Sequence, residues 1–517
     1  MTARHARAGH WGARSDPMLT TGRVSYEVGA NIDATRFGGI AAVHRLVTRL
    51  GLVTEIDERL ELLKVHLPYH ESDHVLNLAY NVLCGGTRLE DIERLRHDTA
   101  YMNALGADLI PDPTTAGDFC RRFTEADVET LMEAVNAVRP RLWAGRGADL
   151  LGPVAYIDAD GTIAGTTGGH KAGMDMSYKG IWGYAPLIVS LANTKEVLYL
   201  VNRPGNAPSH AGAATWIDKA INLVAPHAQR VCLRGDTDFS LTGHFDRWAA
   251  RVDFVFGMDA NSALRSRAEA LDEGCWTRLE RPPAHAAATA TTPATTPAAT
   301  PATTPRATPA TTPATMPRAT RRREPDHKQR IVAERGYLNL ELNHEDVAEF
   351  DYRPGKCARP YRVVALRKNI TKSRGEQALI DEIRYFFYIT TRTDLTPDQV
   401  VAVANDRCDQ ENVISQLKND VGALRVPLYD LVSNWAYMVI AALAWNIKSW
   451  HAMTLHLKSD RRAYIAMELR RYTATLIAIP AMVIRRARAI TIRLIGYQPS
   501  LDRLFSAWRT IERIRFG

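Results

Sequence analysis

One short stretch, VAYIDADGT at residues 154–162, constrains the fold of this chain more than any other. Its first four residues are apolar on both faces and follow a Gly-Pro pair, which predicts a buried β-strand. Asp158 and Asp160 end the strand two residues apart, so both side chains project to one side of an extended chain. Carboxylates delivered in this way to an open sheet edge can hold a metal ion or a reacting phosphate. The alternative is that they only cap a turn.

The residues that follow predict an α/β sheet. Two β-rich runs at 185–193 and 196–203 are separated by a short polar turn, which indicates an antiparallel hairpin. A helix is expected over 209–225, and RVCLRGDTDFS then gives a strand that ends in Asp236 and Asp238. Strand, hairpin, helix and strand in this order open a ribonuclease-H-like α/β fold. Its first and fourth strands lie side by side, so the acids at their ends become neighbours.

A later helix, predicted over 396–420, supplies a third acid. Arg407, Glu411 and Lys418 stand at positions i, i+4 and i+11. At ~100° per residue the offsets are ~40° and ~20°, so the three side chains share one face. An ordinary salt-bridged surface helix is the alternative. The interpretation of Glu411 as a functional acid is favoured because it follows two strand-end aspartates in the order that the fold requires.

Composition divides the rest of the chain. The Ala/Thr/Pro-rich tract at 282–320 cannot bury enough apolar surface to fold and is expected to be extended and disordered. The helical N-terminal region is expected to bind DNA, either as a helix-turn-helix with Arg121 and Arg122 facing DNA or as part of a plain helical bundle. The predicted regions are a weakly ordered N-terminus (1–35), the helical DNA-binding region (36–150), the first part of the α/β core (151–250), a β-rich insertion (251–395), the second part of the core (396–455) and a basic helical C-terminal region (456–517).

Charge points to a polyanionic partner. Residues 461–517 hold twelve arginines, no lysine and three acids, a net charge of +9 against +8 for the whole chain. That excess favours contact with phosphates over a merely solvated helical face. The six cysteines are scattered without a CxxC pair, so a reducing compartment is expected. The most apolar stretch, 435–447, is too short to cross a membrane and is predicted to be a buried core helix.

Four pieces of the chain, within residues 36–515, together carry a specific signal: IDADGT, SYKGIWGYAPLIVSLANTKEVLYLVNRPGN, LRGDTDFS and NDRCDQENVISQLKND. In them the chain resembles the DDE transposases of bacterial insertion sequences, in the group with a Y-x2-R-x3-E-x6-K signature. The resemblance implies that the catalytic and metal-binding acids are Asp160, Asp236 and Glu411. It also implies that Arg407 and Lys418 contact DNA phosphates near the cut.

The same resemblance implies an enzyme of the bacterial cytoplasm, associated with the nucleoid and not with a membrane. It would bind terminal inverted repeats, cleave them with two Mg²⁺ ions (Mn²⁺ as a substitute) and join the 3′ ends to target DNA. A homodimer is expected in the synaptic complex. The signature's tyrosine is replaced by Ala404, which removes support for a tyrosine contact to the cleaved strand and for a DNA-hairpin intermediate.

Two other functions compete with this one. IDADGT also fits the DxDGT motif of haloacid-dehalogenase-type phosphatases, with Asp158 as nucleophile and Asp160 as acid/base. Against it, a β-hairpin follows where that fold needs a helix, and Ser240 stands where its later motif needs an acid. The second alternative is an inactive, transposase-derived DNA-binding protein, although all three acids are present.

Overall fold

A computed structural model describes residues 24–26, 32–144, 147–279, 334–336, 338–374, 377–486, 489–496, 498 and 500–514. The predicted Ala/Thr/Pro tract at 282–320 and most of the predicted weakly ordered N-terminus lie outside these residues.

The described strands are short in the N-terminal half and long between residues 338 and 390. In chain order they are β1 (Ala34–Thr35), β2 (Ala155–Gly161), β3 (Ala164–Gly165), β4 (Asp175–Met176), β5 (Trp182–Tyr184), β6 (Leu187–Leu191), β7 (Glu196–Val201), β8 (Val231–Gly235), β9 (Asp253–Met258), β10 (Thr277–Arg278), β11 (Leu338–Tyr352), β12 (Tyr361–Arg374), β13 (Gln377–Thr390), β14 (Ala481–Arg486) and β15 (Ala489–Leu494).

The described α-helices fall mainly before β2 and after β13. They are α1 (Ile40–Arg49), α2 (Leu52–Arg59), α3 (Glu71–Leu83), α4 (Ile92–Arg96), α5 (Thr99–Leu105), α6 (Pro113–Cys120), α7 (Glu125–Trp143), α8 (Gly147–Leu150), α9 (Ala213–Val224), α10 (Phe245–Ala249), α11 (Ser262–Glu269), α12 (Pro397–Asn405), α13 (Cys408–Lys418), α14 (Leu431–Met453), α15 (Lys458–Ala466), α16 (Leu469–Tyr472) and α17 (Leu501–Arg513).

A large mixed sheet forms the centre of this α/β protein. Its described strands run in the order β10-β11-β12-β13-β9-β8-β2-β6-β7. Strand β2 pairs in parallel with β8 and antiparallel with β6, which completes the predicted hairpin with β7. The first and fourth strands of the core therefore lie side by side, as predicted. Strands β10 to β13 continue the same sheet, because β13 pairs antiparallel with β9.

The edge strand β7 is sealed by helices from both ends of the chain. All six of its residues are buried, including the carboxylate of Glu196. That carboxylate accepts a hydrogen bond from Arg139 on α7 at 2.7 Å and another from the indole of Trp450 on α14 at 2.6 Å. Glu196 is thus both paired with the charge of Arg139 and hydrogen-bonded, which a buried charge requires. It fixes the N-terminal helices and α14 against one edge of the core.

Helix α14 confirms the predicted buried core helix at 435–447. Nearly all of its residues are buried, and the side chain of Asn446 both accepts a hydrogen bond from Val197 N at 2.8 Å and donates one to Val197 O at 3.0 Å. A polar residue can lie within an apolar helix here because its amide replaces a strand partner at the sheet edge. Among the described helices, none is both long and apolar enough to cross a membrane.

The prediction of a purely helical C-terminal region is wrong. Strands β14 and β15 form an antiparallel hairpin there, and β1 adds a third strand through the pair Ala34–Met482. Residues 34–35 are thus part of a sheet, in contrast to the predicted weak order of 1–35. Both runs, AMVIRR and AITIRL, are rich in β-branched residues, and buried and half-buried residues alternate along the first four positions of β14, which suits a half-buried sheet better than a helix.

Candidate active site

The first two predicted acids meet at the end of the central sheet. Asp160 lies near the end of β2, and its side chain is 16% exposed. Asp236 follows β8 directly, where its carboxylate accepts a hydrogen bond from Asp238 N at 3.1 Å at the start of a short 3₁₀ turn. Parallel pairing of β2 and β8 holds Asp158 opposite Arg234. Asp160 and Asp236, each two residues further along the chain, therefore come at the same end of these neighbouring strands.

A guanidinium lies between these two carboxylates. Arg407 Nη1 is 3.2 Å from Asp160 Oδ2, and Arg407 Nη2 is 3.9 Å from Asp236 Oδ2. The arginine thus bridges both acids and does not pair with Glu411 one turn away. The ordinary surface helix, stabilised by an Arg407–Glu411 ion pair, is therefore not what the structure contains.

Both aspartates are held where their charge is unfavourable. Burial raises the pKa of Asp160 to about 6, with Arg407 opposing the shift and the charge of Asp236 adding to it. Burial also raises the pKa of Asp236, again opposed by Arg407. Two partly desolvated carboxylates that share one cation are a donor set of the kind that hard divalent ions prefer. Asp160 and Asp236 therefore fit a divalent metal site.

Asp158 has a different environment from Asp160. Its carboxylate is buried and accepts two hydrogen bonds from Arg234, from Nε at 2.6 Å and from Nη2 at 2.8 Å. Arg234 also lies over the ring of Tyr156, with Cζ 4.5 Å from the ring centroid. A phosphatase nucleophile must reach its substrate, whereas this carboxylate is fully engaged in the core. Together with the hairpin that follows β2, this rules out the phosphatase alternative.

The helix predicted over 396–420 is two helices, α12 and α13, with a tight turn at Asp406 and Arg407. The predicted capping box at Thr396 and Gln399 is confirmed at the start of α12. At the break, Arg234 Nη1 donates to Val403 O at 3.2 Å, which is the carbonyl that Arg407 N would bond in a continuous helix.

The side chain of Gln410 anchors α13 on the sheet. Its Nε2 donates to Asp158 O and to Ile188 O, both at 3.1 Å, so one amide joins the helix to β2 and β6. This buried contact places the start of α13 beside Asp160. Sequence analysis missed both Gln410 and Arg234. The available signal for Arg234 was a charged residue within an apolar strand, because such a residue needs a buried partner.

The remaining predicted site residues lie at the solvent side of α13. Glu411 is exposed, and its carboxylate makes no hydrogen bond or ion pair with any described residue. Among the described residues, the carboxylates of Asp160, Asp236 and Glu411 do not form a set within 4.8 Å of one another. The ammonium of Lys418 is near enough to Asp160 and Lys179 for both charges to act on its pKa, which burial lowers. The structure therefore unites the two aspartates with Arg407 and leaves Glu411 outside that cluster.

A small three-stranded sheet that carries exposed aromatic side chains follows β2 in the chain. Strands β3, β5 and β4 form it, in that order. Tyr178 at its turn is 84% exposed, and Trp182 on β5 is about half exposed. Lys179 Nζ lies 5.3 Å from the ring centroid of Tyr178. The positive charge of Lys179 also helps to lower the pKa of Lys418. Exposed rings and ammonium groups therefore share the surface beside the aspartates.

Comparison with known proteins gives a family match and a distant structural similarity. The family described as transposase DDE domain group 1 matches residues 29–516. No curated protein matches the chain. The chain is similar to the piggyBac transposase in the cryo-EM structure of its synaptic complex with hairpin DNA, with 10% identity, 94% of this chain and 88% of that chain covered, and a TM-score of 0.34.

Proposed function

The chain belongs to the family transposase DDE domain group 1, and on that premise we propose that it cleaves DNA at terminal inverted repeats and transfers the 3′ ends to target DNA. The observation that carries this proposal is the meeting of Asp160 and Asp236 around one guanidinium at the ends of two parallel core strands. Metal-dependent cleavage of a phosphodiester needs carboxylate ligands for divalent ions at an accessible edge of the sheet, and Asp160 and Asp236 provide two of them.

Asp160, Asp236 and Glu411 are the residues that would hold Mg²⁺, as two ions with Mn²⁺ as a substitute. When bound, such ions activate the attacking oxygen and stabilise the leaving oxygen of a phosphodiester displacement. Asp160 and Asp236 contribute fixed carboxylates, because their strands are paired within the core. Glu411 contributes an unpartnered carboxylate on the helix that Gln410 anchors next to Asp160. Its side chain must turn toward the aspartates to complete the set.

Double-stranded DNA would approach over the aromatic and basic surface beside the acids. Lys418 and Lys179 supply positive charge there, and Arg407, which lies between Asp160 and Asp236, would supply a guanidinium for a phosphate at the same place. Tyr178 and Trp182 offer flat rings to an unstacked base, an interaction worth about 1–3 kcal/mol per base. We place the active protein in the bacterial cytoplasm with the nucleoid, as a homodimer in the synaptic complex.

The decisive experiment measures Mg²⁺-dependent nicking of linear DNA that carries the element's own ends. Glu411→Gln is expected to reduce nicking by orders of magnitude, while binding to the inverted repeat stays near wild type. Asp160→Asn and Asp236→Asn should act alike, and double variants should add little because the acids act as one unit. Asp409→Asn is the matched control, since Asp409 is an exposed acid on the same helix that pairs with Lys195. Near-normal nicking by Glu411→Gln would contradict the three-carboxylate site.

One observation favours a second candidate, an inactive DNA-binding protein that descends from a transposase. Among the described residues the three carboxylates are not assembled in this conformation, and Arg407 lies between two of them. The same nicking assay separates the candidates. Specific binding to the inverted repeat with no nicking in either Mg²⁺ or Mn²⁺ would support the inactive protein.

A further inference from the structure

Two histidines and a glutamate meet far along the chain from the acids of the candidate active site. His66 and His70 are exposed residues of the loop that joins α2 to α3, and Glu71 is the first residue of α3. The two imidazole rings stack with their centroids 4.4 Å apart. No part of the proposed strand-transfer chemistry uses these three side chains.

The carboxylate of Glu71 is fixed on one side and open on the other. Its Oε1 accepts hydrogen bonds from Leu62 N at 3.0 Å and Leu63 N at 2.9 Å. Its Oε2 is buried and has no hydrogen-bond donor, although it lies 3.1 Å from His66 Nε2. A buried anionic oxygen without a donor is costly, so it calls for a cation.

The geometry suits one transition-metal ion. One ligand atom each from His66, His70 and Glu71 lies within 4.8 Å of the other two. In a tetrahedral Zn²⁺ site with ligand distances of about 2.1 Å, ligand atoms lie about 3.4 Å apart, close to the 3.1 Å between His66 Nε2 and Glu71 Oε2. Two imidazoles favour Zn²⁺ over Mg²⁺, which prefers oxygen ligands.

We propose that His66, His70 and Glu71 bind a Zn²⁺ ion with one coordination position left to water. The ion would fasten the loop before α3 to the first turn of that helix. This loop otherwise exposes large apolar side chains, Val65 and Leu67, whereas the rest of α3 is packed in the core. The site is structural and independent of the proposed strand cleavage, so either proposal can fail without the other.

Zinc binding is tested on the full chain after treatment with EDTA, in an Asp160→Asn/Asp236→Asn/Glu411→Gln background that removes the other candidate metal ligands. Titration calorimetry should show one equivalent of tightly bound Zn²⁺, and Co²⁺ should give the visible absorption of a four- or five-coordinate ion. Zn²⁺ should also raise the thermal midpoint, and Mg²⁺ in equal amount should not. His66→Asn and His70→Asn should each weaken Zn²⁺ binding by more than about tenfold.

His97→Asn is the matched control. His97 is an exposed histidine 3.2 Å from Glu93, so it forms the same kind of His–Glu pair without a third ligand. The two histidine substitutions change exposed side chains, and the folding of each variant is checked by circular dichroism. Glu71→Gln serves as an additional variant, in which an amide oxygen can still accept the hydrogen bonds from Leu62 N and Leu63 N. Absence of Zn²⁺ binding, or binding that survives both histidine substitutions, would show that His66 and Glu71 form an ion pair only.

Discussion

Asp160 carries its charge in a place where burial opposes that charge. A carboxyl group with a folded pKa of about 6 and an unfolded pKa of about 4 favours folding at low pH, and this contribution is lost as pH rises through about 6. A difference of this size between the folded and unfolded pKa corresponds to roughly 3 kcal/mol in the free energy of unfolding. A residue retained despite such a cost is expected to serve the site and not the fold.

Asp160→Asn is therefore expected to stabilise the metal-free protein above pH 6. Thermal unfolding in EDTA should show a higher midpoint for the variant at pH 8 and a difference that shrinks toward pH 4.5. Mg²⁺ should reduce the difference in thermal midpoint between the two proteins at pH 8, because it stabilises only the wild type. The exposed Asp409→Asn serves as the control. A variant that is less stable than wild type at pH 8 would show that Asp160 supports the fold through its bond to Arg407.

Asp158→Asn should have the opposite effect, because Asp158 neutralises the buried Arg234. Removing one partner of a buried pair typically costs about 3–5 kcal/mol. We expect a lower midpoint in denaturant, with nicking per folded molecule largely retained. The double variant Asp158→Asn/Arg234→Gln should recover part of the stability, since no buried charge is left unpaired. A stable but inactive Asp158→Asn protein would instead assign Asp158 to the chemistry.

At the scale of elements, the sequence predicted what local patterns determine. The apolar run before Asp158, the hairpin turn and the Thr396 cap each depend on residues close in the chain, and each is observed. At the break in the helix near Asp406, Val403 O accepts a hydrogen bond from Arg234, which is far away in sequence. Helical periodicity carries no information about such a donor. For the same reason, the amide of Gln410 could not be assigned to the backbone of β2 before the structure was known.

Gln410 is expected to be a positioning residue. Gln410→Leu keeps helix propensity and approximate size but removes both hydrogen bonds to the sheet, and it leaves Asp158 O and Ile188 O without that donor. A loss of stability of about 1–3 kcal/mol should result. Nicking should fall more than binding to the inverted repeat, because α13 carries Glu411. The exposed Ser415→Ala on the same helix is the control. Equal loss of binding and nicking would indicate general unfolding instead of a displaced helix.

At the scale of the whole molecule, the basic C-terminal region is integrated with the N-terminal region. Strand β14 pairs with β1, and Glu512 on α17 accepts a hydrogen bond from Arg45 on α1 at 2.8 Å. The sequence shows the excess of arginines but not this pairing, because contacts between residues 34 and 482 leave no local pattern. Deleting residues 461–517 would therefore expose core surface, and the role of the arginines in DNA binding has to be tested by substitution.

The test uses arginines of this region that are exposed and make no ion pair with the described residues. A quadruple variant replaces them with glutamine at Arg462, Arg471, Arg493 and Arg509. If each contacts a phosphate, the slope of log K against log salt should become less steep by about 0.9 per contact. The measurement is duplex binding at several salt concentrations, after a thermal scan has shown that the variant is folded.

The matched control removes the same charge from arginines that already pair with acids. These are Arg45, Arg59, Arg247 and Arg384, whose partners are Glu512, Glu55, Asp218 and Glu382. Both variants lower the net charge by the same amount, so a general electrostatic effect would weaken binding equally. Direct phosphate contact instead predicts that only the first variant changes the salt slope, because an arginine paired with an acid releases few counterions. Equal slopes in the two variants would remove the C-terminal arginines from the DNA interface.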